Sequence, residues 1–382
     1  MFQNLNRDEQ QQITTGYSLL QFVAEVYFFV AECHAFLKEL IMEYSVYQRK
    51  FVEAAKAANK TDDYIAHCLD YSRPLLEKGL PVIYDVEHFS NLVGVKPDYL
   101  YIMANAQNQF YRRFRIPKNN GKSRLISAPL PLLKDVQTFI LENILCKIPC
   151  HPCAKAYIKK KSLKDNAKFH RNQEKLLKID LADYFPSLSS KRVYAYFISL
   201  GYSKALCSLF SGLCTLSGSL PQGAPTSPYL SNLLTMQLDQ QLFELCQDNG
   251  TLRYTRYADD ISISGSFDAR VIIPKVYKII RMNGLLPNTD KTHVIGQHMQ
   301  QNVTGIVVNK RVQVPKNYRK KIRLEMYYIT KFGLSEHLSR SLPECSADEY
   351  VSQLLGRISY CLQINPKDNE MRGYKETILS QK

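Results

Sequence analysis

Two adjacent carboxylates, Asp259 and Asp260, strongly constrain the fold of the chain around them. They follow Tyr257 and precede residues 261–264, where apolar and small polar side chains alternate as in a half-buried strand. The pattern predicts a hairpin with both acids at its bend. An Asp pair at a bend commonly serves only the turn, because Asp tolerates left-handed backbone and bonds its own main chain. Features upstream decide between these two interpretations.

A third acid, Asp180, lies in the apolar stretch of residues 176–181, which predicts a buried strand. A carboxylate there costs free energy unless it forms a salt bridge or binds a metal ion. If this strand lies beside the hairpin, three carboxylates meet and repel one another until cations neutralise them. Oxygen-only ligands favour Mg²⁺, and two such ions can hold the attacking and leaving oxygens of an in-line displacement. The three acids together therefore indicate nucleotidyl transfer, whereas a structural salt bridge would explain Asp180 alone.

Residues 220–232 contain a glycine and three prolines, which predict a rigid turn before a helix over residues 229–245. Gly223 would let the backbone approach a substrate closely. Gln222 offers both a donor and an acceptor to a base or a sugar. The composition alone also fits an ordinary loop.

The other predicted elements follow from turn residues and hydrophobic periodicity. They are a helix over 64–71 that Thr61 caps and Pro74 stops, strands over 110–116 and 124–128, two helices between 187 and 220, an amphipathic helix over 271–283, a turn over 284–292 that holds Lys291, a strand over 303–308, and helices from Lys316 onward. The basic loop between the first two strands is either solvated or folds its cations over the phosphates of a substrate.

The formal charge of +15 indicates a polyanionic partner, most commonly a nucleic acid. The first 78 residues are net acidic, so the basic surface belongs to the rest of the chain. Residues 155–175 interleave Tyr157 and Phe169 with cations, a mixture typical of surfaces that hold RNA by its backbone and its unstacked bases. A run of charges otherwise forms a solvated face. The candidate RNA contacts are Lys159, Lys160, Lys161, Lys168, His170 and Arg171, with Lys316, Arg319 and Lys320 in a second basic region.

The N-terminal region repeats apolar residues at spacings of four and three over residues 22–40, which predicts a helix with a heptad seam. Glu25, Glu32 and Glu39 run beside this seam. The helix either packs on its own domain or contacts another protein, which is a second copy of the chain or a different partner. Charged residues interrupt the apolar stretch, so we expect no membrane span. Scattered cysteines without a signal-peptide pattern predict reduced thiols in a cytoplasm.

The order of these strings resembles the palm of a reverse transcriptase. The matching residues are Asp180 with Phe185, Gln222-Gly223 with Pro225 and Ser227-Pro228, Tyr257 through Asp260, and Gly284 through Lys291. Asn166-Ala167 with His170, and Val303-Thr304-Gly305, resemble the signatures that set retron reverse transcriptases apart. The resemblance extends from about residue 79 to the C-terminal region, and the first 78 residues lie outside it.

The resemblance implies an α+β fold of the right-hand polymerase type, with fingers, a palm built on an antiparallel sheet, and a helical thumb. It implies four regions, namely a helical N-terminal extension at 1–78, fingers with the basic stretch at 79–175, a palm at 176–309 that includes finger-like helices at 190–220, and a thumb-like RNA-binding region at 310–382.

Residue roles follow from the resemblance in the same way. Asp180, Asp259 and Asp260 would bind two Mg²⁺ ions, and Lys291 would donate a proton to the departing pyrophosphate. Phe185 would exclude a 2′-hydroxyl from the sugar site. Lys118, Lys122 and Arg124 would face the triphosphate, and Gln222 and Gly223 would line the nucleotide and the template.

The implied function is RNA-directed DNA synthesis from dNTPs in a bacterial cytoplasm. A cognate noncoding RNA would serve as template and, through an internal 2′-hydroxyl, as primer, giving a branched RNA–DNA hybrid (msDNA) that acts with an effector protein against phage. One alternative is another class of reverse transcriptase, such as an intron-encoded one. The other is an antitoxin-like scaffold that binds RNA and effector and in which polymerisation is secondary.

Overall fold

The computed structural model describes residues 44–117, 121, 123–250, 252–341 and 346–380. The heptad seam, Lys118 and Lys122 lie outside these ranges. The helices are α1 (Tyr44–Ala57), α2 (Asp62–Glu77), α3 (Val86–Val93), α4 (Pro97–Asn105), α5 (Pro131–Asn143), α6 (Leu163–Phe169), α7 (Ser190–Leu200), α8 (Lys204–Cys214), α9 (Thr226–Leu234), α10 (Met236–Asp248), α11 (Ala269–Met282), α12 (Lys316–Phe332), α13 (Leu334–Ser341), α14 (Ala347–Ile364) and α15 (Asn369–Ser380). The strands are β1 (Tyr111–Pro117), β2 (Ser123–Pro129), β3 (Lys175–Ala182), β4 (Arg253–Tyr257), β5 (Asp260–Gly265), β6 (Leu286–Gly296), β7 (Asn302–Val303) and β8 (Ile306–Val307). Within the described ranges, no helix combines the length and the apolarity that crossing a bilayer would require.

The chain forms two compact units, and each unit combines two separate segments. The first unit contains the described residues up to Pro149 together with Phe185–Leu234, and the second contains Cys150–Tyr184 together with the described residues from Thr235 onward. The subdivision into extension, fingers, palm and thumb divides the chain at other points and stays a prediction.

Helix α2 of the first unit begins as predicted but ends later. Its N-cap is Thr61, whose side chain accepts a hydrogen bond from the Tyr64 N–H. The predicted stop at Pro74 is wrong, since the helix continues through this proline to Glu77. Leu75, directly after the proline, has no exposed surface, and its burial offsets part of the hydrogen bond that proline cannot make.

An aromatic cluster centred on Phe210 forms part of the core of the first unit. The ring centroid of Phe210 lies 4.9 Å from that of Phe89, 5.2 Å from that of Phe197 and 5.6 Å from that of Tyr202. Edge-on and tilted contacts of this kind stabilise a core beyond their buried area. Strands β1 and β2 pair from Tyr111↔Pro129 to Pro117↔Ser123, which confirms the predicted hairpin.

The second unit contains a four-stranded antiparallel sheet of order β4-β5-β3-β6. Strand β3 is central and alternates buried and half-buried residues. The turn predicted over residues 284–292 is wrong, because most of this segment belongs to β6. Pairing with β3 satisfies the backbone of β6, so tertiary context prevails over local turn composition. An antiparallel sheet with surrounding helices confirms the predicted α+β class.

Two further predicted elements have different bounds in the structure. The helix predicted over 229–245 is two helices, α9 and α10, separated at Thr235, where φ is −112° and ψ is 15°. The strand predicted over 303–308 is instead a short hairpin formed by β7 and β8. Its turn residues Thr304 and Gly305 have φ of 47° and 82°, and positive φ at both positions is what tight two-residue hairpins of the commonest type require.

Candidate active site

The loop between β4 and β5 holds the two adjacent acids. Tyr257 and Asp260 are the last paired residues, so Ala258 and Asp259 form the bend. Ala258 has a φ of 58°, a conformation that costs free energy for a residue with a Cβ atom and that clusters at functional sites. The hairpin predicted from the sequence is confirmed, with Asp260 as the first residue of β5.

The register of the sheet brings Asp180 to the same hairpin. Asp180 of β3 lies directly opposite Asp260 of β5, and residues so paired in antiparallel strands have Cα atoms about 4.5–5.5 Å apart. The Leu181 N–H donates a 2.9 Å hydrogen bond to the carbonyl of Asp259. The three predicted acids therefore lie together at one end of the sheet.

Strand β6 adds a lysine to these acids. The Lys291 Nζ lies 2.9 Å from the Asp180 Oδ2, and the Asn288 amide donates to the same oxygen at 3.3 Å. This hydrogen bond to Asp180 raises the pKa of Lys291, so the ammonium stays protonated at neutral pH. Burial, followed by the charges of Asp259 and Asp180, raises the pKa of Asp260. The charges of Lys178 and Lys291 oppose this rise in the pKa of Asp260 and only partly neutralise the negative charge of the site.

The donor atoms of these acids fit a magnesium site. Among the described residues, no three His, Cys, Asp or Glu side chains are already arranged around a metal position. Mg²⁺ rarely requires a complete protein cage, because it takes one or two carboxylates and fills its shell with water and substrate phosphates. Asp180 and Asp260 as cross-strand neighbours, with Asp259 beside them, supply oxygen ligands of this kind.

A buried arginine supports the bend from inside the second unit. The guanidinium of Arg256 donates to both carboxylate oxygens of Asp239, at 2.8 and 2.6 Å, and to the Ala258 carbonyl at 3.0 Å. It also donates to the Tyr184 hydroxyl at 2.8 Å. Arg256 and Asp239 have no exposed surface. We infer that this ion pair fixes the bend that carries Asp259, a role that sequence reasoning missed because Arg256 resembles any other cation of the basic chain.

A second buried network supports the opposite side of the same hairpin. The imidazole of His170 lies 2.7 Å from the Ser264 hydroxyl through Nδ1 and 2.7 Å from the Thr255 hydroxyl through Nε2. The Thr255 hydroxyl donates to the Asn166 side-chain oxygen at 2.6 Å. The RNA contact predicted for His170 is wrong for this conformation, because the residue is completely buried. The Asn166 and His170 signature instead joins α6 to β4 and β5.

The Val303-Thr304-Gly305 signature also lies against α6. Val303 and Ala167 of α6 belong to one buried apolar cluster. The Asn172 N–H donates to the carbonyls of Val308 and Asn309, which follow the short hairpin. The two signature strings therefore pack together beside the hairpin of β4 and β5.

The predicted nucleotide-site residues that the structure describes lie in the first unit. The Gln222 carbonyl accepts a 2.7 Å hydrogen bond from the Ser127 N–H, which fixes this turn against β2, the strand that carries Arg124. Gly223 follows with a φ of 124°. Phe185 is half-buried, and its carbonyl accepts from the Leu188 N–H. The first unit thus places the turn of Gln222 and Gly223 against β2, the strand that contains Arg124.

Most of the predicted RNA contacts are surface cations. The exposed residues are Lys159, Lys160, Lys161, Lys168, Arg171, Lys316 and Lys320. Arg319 differs, because it forms ion pairs with Asp368 at 3.0 Å and with Glu370 at 2.7 Å. These pairs join α12 to α15 and give Arg319 a structural role, while its RNA contact stays a prediction.

Comparison with known proteins defines the class of this protein. Residues 116–308 match the family model described as Reverse transcriptase (RNA-dependent DNA polymerase). The retron Ec86 reverse transcriptase of Escherichia coli is 30% identical over 296 residues, covering 76% of this chain and 88% of that protein. The retron Mx65 reverse transcriptase of Myxococcus xanthus is 28% identical over 363 residues, covering 86% and 82%. Among solved structures, telomerase from Candida albicans in complex with a TWJ fragment of telomeric RNA matches 70% of this chain and 54% of that chain, with a TM-score of 0.42 and 12% identity.

The antiparallel sheet, its three acids and the family match define an RNA-directed DNA polymerase, a class that uses divalent metal ions. The chain belongs to the retron reverse transcriptases.

Proposed function

We propose that this polymerase copies part of a cognate noncoding RNA, starts from a 2′-hydroxyl inside that RNA, and produces a branched RNA–DNA hybrid (msDNA). The main support is the convergence of Asp180, Asp259 and Asp260 at one end of the sheet, with the Lys291 ammonium beside them. The similarity to retron reverse transcriptases extends over most of the chain, and it supports the proposal that the template is one dedicated RNA.

In this proposal Asp180, Asp259 and Asp260 hold two Mg²⁺ ions. When bound, such ions stabilise the charge on the attacking and leaving oxygens. Lys291 holds a proton on Nζ, which it can give to the departing pyrophosphate. Arg256 and His170 position the hairpin and touch no substrate. The chain therefore contributes orientation and charge, and no covalent intermediate.

The remaining residues bind nucleotide and RNA. Lys118, Lys122 and Arg124 face the triphosphate, Phe185 excludes a 2′-hydroxyl, and Gln222 and Gly223 line the nucleotide and the template. Lys159, Lys160, Lys161, Lys168, Arg171, Lys316 and Lys320 contact RNA phosphates. Residues 79–175 act as fingers, 176–309 as palm and 310–382 as a thumb-like RNA-binding region.

Substitution of one acid tests this proposal. Purified protein with cognate RNA, Mg²⁺ and dNTPs should give cDNA, and Asp259→Asn should give none because an uncharged amide is a poor magnesium ligand. Asp248→Asn is the matched control, since Asp248 is an exposed acid at the end of α10. Wild-type cDNA should stay joined to RNA in a denaturing gel until a 2′,5′-debranching enzyme releases it. Polymerisation by Asp259→Asn would exclude the assigned metal role.

We further propose that the bacterial cytoplasm is the site of action and that the msDNA acts with an effector protein in defence against phage. The heptad seam over residues 22–40, which lies outside the described residues, is our candidate for the contact with the effector or with a second copy of the chain. Its acidic neighbours Glu25, Glu32 and Glu39 distinguish it from the basic remainder.

A further inference from the structure

A surface cavity of about 400 Å³ lies next to α6 in the second unit. Its lining residues are Lys168, Arg171, Asn172, Gln173 and Arg253. Three of the five are cations and none is an acid. Within the described residues, these three cations form no ion pair with a carboxylate, so no salt bridge neutralises their charge. Such a cavity fits a phosphate group.

The chain around the cavity is held in a fixed shape. The Arg253 guanidinium donates to the Phe169 carbonyl at 2.8 Å. Asn172 has a φ of 56°, and its N–H donates to the carbonyls of Val308 and Asn309 at 2.9 and 2.8 Å. The Gln173 side-chain amide donates to the carbonyls of Arg171 and Asn172, each at 3.1 Å. These bonds hold the loop in place before any ligand binds, which lowers the entropy cost of binding.

An exposed aromatic ring lies beside Arg253, one of the cavity cations, and beside Lys155, which is not among the lining residues. Phe169 is 46% exposed, although most phenylalanines are buried. The Arg253 guanidinium carbon lies 6.0 Å from its ring centroid and the Lys155 Nζ lies 5.8 Å from it. Both distances are at the outer limit of a cation–π contact. Because 46% of Phe169 is exposed, ring surface remains that a flat partner can cover. Bases of unpaired strands stack on rings of this kind.

We propose that this cavity and Phe169 form a subsite for single-stranded nucleic acid, with one phosphate against Lys168, Arg171 and Arg253 and the adjoining base on Phe169. The inference rests on the proposed function, because that function supplies the nucleic acid that binds here. This nucleic acid is either the RNA or the newly made DNA. It adds Arg253 to the predicted surface, assigns Phe169 the base position and separates that position from the phosphate position.

The absence of tryptophan from the chain allows a direct test. Phe169→Trp creates a single fluorescent reporter at the base position, and Phe243→Trp creates a matched control on α10, where Phe243 is 38% exposed. The full chain is titrated separately with oligouridylate and with oligothymidylate. We expect saturable quenching of the first reporter, because a stacked base quenches indole, and little quenching of the second. Quenching by RNA alone identifies RNA as the strand, whereas equal quenching by DNA extends the subsite to single strands in general.

The phosphate position is tested by Arg171→Ala in the Phe169→Trp protein. We expect the dissociation constant to rise about tenfold, as for the loss of one charged hydrogen bond. The slope of log K against log salt should fall by about 0.7, the value for one phosphate of a single strand. Arg270→Ala, which removes an exposed arginine at the start of α11, should change neither quantity.

Three results would overturn the subsite: no quenching by either strand, equal quenching of both reporters, or equal effects of Arg171→Ala and Arg270→Ala. cDNA synthesis by the wild-type preparation is measured in parallel. A wild type without cDNA refutes the proposed function whatever the reporters show. Normal cDNA synthesis combined with any of the three results refutes the subsite alone.

Discussion

His170 couples the stability of the second unit to pH. Burial lowers the pKa of His170 to about 3, whereas an unfolded histidine titrates near 6.5. Between these values the unfolded chain binds a proton that the folded protein does not, so the free energy of unfolding falls as the pH drops below about 6.5. One group contributes up to about 1.4 kcal/mol per pH unit.

We therefore expect His170→Gln, which cannot titrate, to have a shallower dependence of unfolding free energy on pH between 6.5 and 5. Urea unfolding of both proteins at several pH values measures the two slopes. His88, whose pKa burial also lowers to about 3, is present in both proteins and cancels from the comparison. Equal slopes would mean that His170 is solvated or charged in the folded protein.

Phe185 provides a test of substrate choice at a single residue. If its ring excludes the 2′-hydroxyl, Phe185→Val should accept ribonucleotides while still extending with dNTPs. The preference for dNTPs over rNTPs should fall by about 10-fold or more, since loss of a steric clash of a few kcal/mol changes discrimination by that order. Steady-state kinetics with each nucleotide measures the ratio. An unchanged ratio would assign Phe185 to packing alone.

Single residues also show what could and could not be predicted from the sequence. Asp180, Asp259 and Asp260 were predictable because an acid in an apolar strand and an acid pair at a bend need a chemical explanation. The burial of His170 was not, because its partners Thr255 and Ser264 are 85 and 94 residues away in the chain. Arg256 and Asp239 are only 17 residues apart, but their pair was missed because Arg256 resembles any other cation of the basic chain.

At the scale of elements, the turn of Gln222 and Gly223 depends on close approach to β2. A Cβ atom on Gly223 would lie 2.6 Å from the Ser127 carbonyl oxygen and 3.0 Å from a methyl group of Ile126. Gly218 also has positive φ, at 83°, but a Cβ atom there meets nothing within 4 Å.

We expect Gly223→Ala to destabilise the protein by about 1–3 kcal/mol more than Gly218→Ala, because only the first substitution adds a clash to the backbone strain. Urea unfolding of both variants gives the difference. Similar losses in the two variants would show that β2 moves away at no cost and that the turn is not fixed by it.

The elements themselves were predicted where periodicity was strong. The local hydrophobic pattern was sufficient to predict helix α11 and the buried strand β3. Helix α2 continues through Pro74 because the burial of Leu75 outweighs the local preference of proline to end a helix. Strand β6 replaces a predicted turn because its pairing with β3 outweighs the local turn preference. Such contacts connect distant parts of the chain, and a local pattern does not contain them.

At the scale of the whole molecule, the described part of the first 78 residues, residues 44–78, belongs to the first unit and is not a detachable extension. Leu75 is fully buried, the Tyr71 hydroxyl donates to the Ile83 carbonyl at 2.6 Å, and the Lys78 ammonium donates to the carbonyls of Ser199 and Leu200. These contacts belong to the first unit, so removing residues 1–78 removes part of its core.

We expect deletion of residues 1–78 to abolish polymerisation through loss of folding, whatever the partner of the N-terminal seam. Reversal of charge at Glu25, Glu32 and Glu39 should instead leave cDNA synthesis intact and weaken association with the effector or with a second copy. Sedimentation and cDNA assays on the same preparations separate the two effects. Unchanged association after the triple reversal would remove the seam as the contact.

The position of β3 has a consequence for synthesis of the protein. This strand lies between β5 and β6 in the sheet but precedes both in the chain. At about 5–20 residues per second, a ribosome releases it several seconds before either neighbour exists. During that interval both edges of an apolar strand remain open to pairing with other nascent chains. The strand that carries Asp180 is therefore also one whose two edges are not both covered until translation has passed residue 296.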